Sequence, residues 1–198
     1  MGNFENRVIL VTGAGKGAGR GIAEAFAAQG AVLAANDISP VNLDETVAHI
    51  LAAGGQAKAY VEDIAKKMPV QTLLNTVMDD FGRIDILVNC AEVEPQKSVL
   101  EMDDWDWQRT LDVNLTGAFL LTQSVGRIMK EKGSGVIVHV GERPKGTEKR
   151  AAYFTSKAGL AALSALAAYE LSEAGIRVYH VQPEETGDLV RHILELCS

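Results

Sequence analysis

The sequence predicts one α/β domain, a parallel sheet doubly wound by helices in three layers. Two observations carry this reading. Short apolar or β-branched runs at 7–12, 31–36, 56–62, 84–90, 135–140 and 176–182 alternate with helically spaced stretches at 18–28, 41–53, 68–81, 103–130 and 151–174. Strand–helix alternation sustained along a chain builds a parallel sheet with helices on both faces. The runs themselves are nearly continuous in apolar residues, as in Ile84-Asp85-Ile86-Leu87-Val88, which suits strands covered on both sides.

The elements follow in order. Each helical stretch ends near a glycine, at Gly30, Gly54-Gly55, Gly82, Gly133 and Gly175, where a left-handed residue stops a helix. The last segment, 185–198, offers one short amphipathic helix. At 198 residues the chain suits a single domain spanning 1–198 with a full core. Hydrophobic residues at 47% and charged residues at 23% argue against disorder. A net charge of −7 disfavours nucleic acid as a partner, because phosphate neutralisation needs a basic face. No apolar run reaches the length of a membrane span, and the first residues lack the pattern of a signal peptide. Cys90 and Cys197 stand far apart without paired spacing, so we expect neither a disulfide nor a cysteine metal site, and a reducing cytoplasm as the compartment.

Chemistry-bearing residues cluster in three places. The turn Thr12-Gly13-Ala14-Gly15-Lys16-Gly17-Ala18-Gly19 follows the first strand and opens the first helix. Glycines there let the backbone turn tightly and approach a pyrophosphate, while the helix N-terminus offers free N–H groups. Asp37 ends the second strand, at the distance where an acid meets an adenosine ribose; its carboxylate would repel a 2′-phosphate. Tyr153 and Lys157 stand four apart, hence on one helix face. A tyrosine has an ordinary pKa near 10, and a neighbouring ammonium stabilises its phenolate.

Together with Asn114, these residues resemble the short-chain dehydrogenase/reductase family over 7–183, and most closely its ketoacyl-carrier-protein reductase branch. The resemblance implies a Rossmann-type fold and an NAD(H)-dependent interconversion of a secondary alcohol and a ketone. By the same resemblance Tyr153 is the general acid/base, Lys157 tunes it and holds the nicotinamide ribose, and Asn114 anchors a relay water. It implies that Gly13, Lys16, Gly17, Ala18 and Gly19 surround the pyrophosphate. Asp37 and Ile38 would meet the ribose, Asp63 and Ile64 the adenine, and Asn89, Ala91 and Pro183 the remainder of the dinucleotide. Lys16 leans toward NADP, but Ile38 rather than a base follows Asp37, so NAD is favoured. The helices 112–130 and 151–174 resemble the pair through which family members form homodimers.

Three positions depart from the family pattern, all at strand carboxyl ends. Cys90-Ala91-Glu92 stands for Asn-Ala-Gly, Gly141-Glu142 for serines, and Pro183-Glu184 for Pro-Gly. No serine lies between Gly135 and Thr155, and Thr147 is the only aliphatic hydroxyl inside that gap. Several roles remain open for the acids. Glu142, protonated by crowding, donates to the substrate carbonyl as serine would. Alternatively the carboxylates bind a cation, or they repel the pyrophosphate and leave a pseudoenzyme that senses or assembles. We expect Glu92 and Glu184 to swing into solvent. No metal is expected. The chain is also expected to lack the family's last strand and substrate lid, so the sixth strand becomes a sheet edge unless the helix at 185–198 or a partner chain covers it. The segment 143–150 is basic and read as a solvated loop. Trp105 and Trp107 are read as packing anchors, His139 as a satisfied structural histidine and Cys90 as a small buried hydrophobe.

Overall fold

The computed structural model describes residues 3–142, 149–182 and 186–198. Six parallel strands are present: β1 Val8–Thr12, β2 Val32–Asp37, β3 Gln56–Val61, β4 Ile86–Asn89, β5 Gly135–Val140 and β6 Ile176–Val181. They lie in the order β3-β2-β1-β4-β5-β6. The helices are α1 Gly17–Ala28, α2 Pro40–Ala52, α3 Lys67–Phe81, α4 Asp104–Leu111, α5 Ala118–Lys132, α6 Ala151–Ser172 and α7 Thr186–Cys197.

Strand residues alternate between two apolar layers, as the period of two requires. Ile9, Val11, Leu33, Ile86 and Val138 face Ile22, Phe26, Leu43 and Ile50 of α1 and α2, together with Leu189 and Ile193 of α7. Leu10, Ala34, Leu87 and Ile137 face Leu73 and Val77 of α3 and Leu121 and Val125 of α5 on the other side. Burial on both faces explains why β1 and β4 are fully apolar at their centres. Helix ends are specified locally. Ser39 accepts from the Asn42 N–H ahead of Pro40, Asp103 accepts from the Asp106 N–H, and Gly82 and Gly133 close α3 and α5 in the left-handed conformation.

Two expectations need amendment. The helix expected over 103–130 is divided into α4 and α5 by a π-helical turn, Asp112–Gly117, whose extra residue rotates the following face. Gly117 there lies against Ile64, whose carbonyl oxygen would be 2.9 Å from an added Cβ. Trp105 is 72% exposed and Trp107 partly so, because α4 buries only Thr110 and turns its acidic first turn outward. As expected, β6 is the last strand of the sheet among the described residues, and α7 packs against α1 and the sheet.

His139 sits wholly buried on β5. Asn89 Nδ2 donates to its Nδ1 (3.3 Å), which leaves the Nε2 hydrogen for Thr122 Oγ1 (3.2 Å). It is thus the satisfied structural histidine that its strand position predicts. Burial, then the neighbouring His180 and Lys157 charges, push its pKa down to about 4. The unfolded chain therefore binds a proton near pH 6.5 that the folded chain refuses until about pH 4. This contribution is complete above pH 6.5 and is lost as the pH falls toward 4, by about 3 kcal/mol. Urea titrations at pH 7 and pH 4.5 should show a smaller loss in His139→Gln than in the native sequence.

Candidate active site

Strand order reverses between β1 and β4, and there the carboxyl ends of the sheet open a crevice of about 380 Å³. Gly13, Lys16, Gly17, Ala18 and Gly19 form one wall; Asp37, Ile38, Asp63, Ile64 and Ala91 line the remainder. The turn is tight because Gly19 has no side chain: an added Cβ would lie 2.1 Å from the Gly13 carbonyl oxygen. Gly17 has φ +55 and nothing within 4 Å of where its Cβ would project. Arg20 braces the loop by donating to the Gly15 carbonyl (2.7 Å) and to Thr46, whose hydroxyl donates to Ala14.

Asp37 is oriented by two backbone donors, Gly15 N–H and Ser39 N–H, each at 2.9 Å. Asp63 is gripped by both terminal nitrogens of Arg109 (2.9 and 3.2 Å). Burial would raise the Asp63 carboxyl, but the Arg109 bonds prevail and hold it below its usual range. Arg109 also lines the crevice. No local pattern announced it, since 46 residues separate it from Asp63.

At the end of β5 the site changes character. The Tyr153 side chain, on a residue only 1% exposed, directs its hydroxyl at Glu142 (2.6 Å) and Glu92 (2.9 Å). Lys157, one turn further along α6, donates to Glu92 (2.6 Å) and to the Val140 carbonyl (3.0 Å). Arg150 lies 4.7 Å from the Tyr153 ring centre, reaches Glu142 at 3.2 Å and pairs with Glu94. Burial first, then Glu142 and Glu92, drive the Tyr153 phenol above its ordinary pKa. That is opposite to the direction implied by a lysine beside it, because burial and the two carboxylates outweigh the ammonium.

One position differs from expectation. Glu92 does not swing into solvent: Lys157 and the Tyr153 hydroxyl draw its carboxylate inward. Asn89 is buried behind the crevice wall against His139, with its Oδ1 unpartnered. Asn114 closes a two-way bond with the Val93 backbone and donates to Ser156, so its amide fixes the segment that carries Glu92. Burial, with Glu92 adding to it, pushes the Cys90 thiol up to about 12, so the thiol stays neutral. Pro183, Glu184, Thr147 and most of the basic segment 143–150 lie outside the described residues. No group of three metal-ligating side chains occurs among the described residues.

The sequence model for short chain dehydrogenases matches residues 7–189. The chain belongs to the short-chain dehydrogenase/reductase family. An uncharacterized oxidoreductase of Thermotoga maritima is 39% identical over 186 residues, 93% of this chain and 73% of that one. A 3-oxoacyl-[acyl-carrier-protein] reductase of Synechocystis is 38% identical, covering 89% of this chain and 73% of the relative. Among solved structures, an NAD+-bound xylitol dehydrogenase superposes with TM-score 0.88 at 34% identity, covering 91% of this chain and 71% of that one. A metagenomic short-chain oxidoreductase in complex with NADP gives TM-score 0.93 at 28% identity, covering 98% and 91% respectively. The fold and the oxidoreductase family are thereby shown, and the ketoacyl-reductase likeness read from the sequence holds.

The backbone contact at Gly19 leaves no room for a methyl group. Gly19→Ala should lower unfolding free energy by about 2 kcal/mol, read by denaturant titration, because the whole turn must shift.

Proposed function

We propose that this protein binds NAD(H) and interconverts a secondary alcohol and a ketone, with Tyr153 and Glu142 sharing the proton transfer. The observation that carries the reading is the 2.6 Å bond from the Tyr153 hydroxyl to Glu142, at the carboxyl end of β5 where the family places a serine. The crevice suits the dinucleotide. Its glycine turn leaves space at Gly17 for a pyrophosphate beside the α1 N-terminus, and Asp37 is oriented for ribose hydroxyls. A carboxylate there disfavours a 2′-phosphate, and the exposed Ile38 beside it supplies no counter-charge, so we assign NAD over NADP. When bound, the nicotinamide accepts or returns the hydride.

The chain's own residues then handle the proton. In alcohol oxidation the Tyr153 oxygen takes the substrate hydroxyl proton as its own hydrogen passes to Glu142; reduction runs the transfer backward. Glu142 thereby acts as the acceptor that a phenol of raised pKa requires, rather than as the donor a serine would be. Lys157 is available to a ribose once Glu92, whose side chain is 42% exposed, releases it. Asn114 holds the wall at Val93 and, by the family likeness, anchors a relay water.

A second reading has its own support: the Lys157–Glu92 pair and the raised Tyr153 pKa favour a dinucleotide-binding pseudoenzyme acting as sensor or assembly partner. Losing one polar stabiliser of a reacting oxygen costs about 100- to 1000-fold, which leaves slow turnover attainable. For partners we assign a small carbonyl or alcohol and a homodimer through helices 112–130 and 151–174, on which Phe119, Leu166 and Tyr169 are exposed. No helix of the described residues is long and apolar enough to cross a membrane, and Cys90 and Cys197 are free thiols, in keeping with a reducing cytoplasm.

NADH titration, read by tryptophan-to-nicotinamide energy transfer, should saturate well below the NADPH titration, and Asp37→Ala should narrow that difference. If neither cofactor binds at millimolar concentration, the oxidoreductase reading falls. A carbonyl screen with NADH then separates slow enzyme from pseudoenzyme. Because Glu142 helps to keep the Tyr153 phenol protonated, oxidation should rise toward alkaline pH. Glu142→Ser removes the base in contact with that hydroxyl and should lower neutral oxidation by roughly tenfold or more, leaving turnover confined to the alkaline limb. An unchanged profile would remove Glu142 from the mechanism.

A further inference from the structure

At the opposite end of the sheet, where the strands begin, a second cleft of about 320 Å³ is bounded by Arg7, Arg83, Asp85, Lys132, Ser134 and Arg177. Four cations meet one carboxylate in a chain whose net charge is −7. Asp85 is fully committed. Buried at 3% exposure, it accepts the Val8 N–H on one oxygen, and Arg83 (2.7 Å) and Lys132 on the other. Helix ends account for part of the remaining charge: Lys132 lies in the last turn of α5, and Arg7 donates to the Cys197 carbonyl of α7 (2.8 Å). They do not account for Arg177, an exposed residue on β6 whose bond runs to the Tyr179 hydroxyl (3.3 Å). Neither Arg7 nor Arg177 has a carboxylate partner among the described residues.

We infer that this cleft binds a phosphate-rich anion, of the class of pyrophosphate or a nucleoside polyphosphate. Arginine forks match phosphate oxygens two at a time, and the site presents three guanidinium groups around a single lysine. Its volume falls in the range of small-molecule sites. A concave positive patch on an otherwise acidic protein concentrates anions that the remaining surface repels. The lining residues come from the start of β1, the α3–β4 and α5–β5 turns, and β6, so an occupant ties four segments together. The crevice at the glycine turn opens at the other end of the same strands, and the two sites can fill independently.

Calorimetric titration of the full chain with sodium pyrophosphate, at ionic strength held constant with NaCl, tests this. Saturable binding is expected, weakened at least about tenfold in Arg177→Gln and less in Arg177→Lys, with NADH titrations unaltered. Arg83→Gln, on the same rim, gives a second variant with the same expectation. An ATP arm distinguishes the sources. Tighter ATP binding that is lost with Arg177→Gln marks a nucleoside polyphosphate, and equal affinity marks the phosphates alone. No heat with pyrophosphate at millimolar concentration, or equal binding by native protein and Arg177→Gln, overturns the inference.

Discussion

The parting of β1 and β4 at their carboxyl ends sets the position of everything chemical in this molecule. The two strands pair from Ile9–Ile86 to Thr12–Asn89, after which one chain turns into α1 and the other leaves the sheet. Thr12, completely buried, accepts hydrogen bonds from both Cys90 and Ala91 N–H (3.2 and 3.3 Å), groups that would otherwise lose their partners as the ladder ends. That side chain holds the glycine turn and the Glu92 segment at a fixed separation. The crevice is the gap so maintained, and its depth depends on Gly19 lying against Gly13.

Around Tyr153 the electrostatics run against the arrangement that the motif implies. A phenol hydroxyl carries one hydrogen and here meets two carboxylates, while the nearby ammonium is engaged by one of them. Burial, a carboxylate acceptor and negative charge close by together favour the protonated hydroxyl. The proton can leave only if a base takes it directly, and Glu142 is the base in contact. Arg150, stacked on the same ring and ion-paired to Glu142, keeps that carboxylate in place. The acids at 92 and 142 thus form a coupled unit with three cationic or phenolic partners rather than two independent substitutions.

Charge is also distributed unevenly along the strand direction. Cations outnumber carboxylates in the cleft at the amino end, where α5 and α7 present their carbonyl termini. Asp85 is the one buried acid among those cations, and it fastens the start of β1 to the end of α5.

The amino-acid sequence alone determined the fold class, the strand and helix order, and the alignment of the glycine turn, Asp37, Tyr153 and Lys157, because these rest on periodicity, on glycine and on four-residue spacing. Tyr153 and Lys157 share a helix face in any fold that keeps the helix. Element boundaries shifted by only one or two residues, and glycines marked the helix ends because few other residues adopt that backbone conformation. What the sequence left open depends on distances between segments far apart in the chain. Arg109 on Asp63, Arg150 on Glu142 and the inward turn of Glu92 have no local signature. Neither has the π-helical turn, in which Asn114 bonds to the Val93 backbone and Gly117 lies against Ile64. Only the tertiary structure decided whether the acid at 92 faced water or Lys157, since the pull on it comes from a charge 65 residues away that folding brings to 2.6 Å.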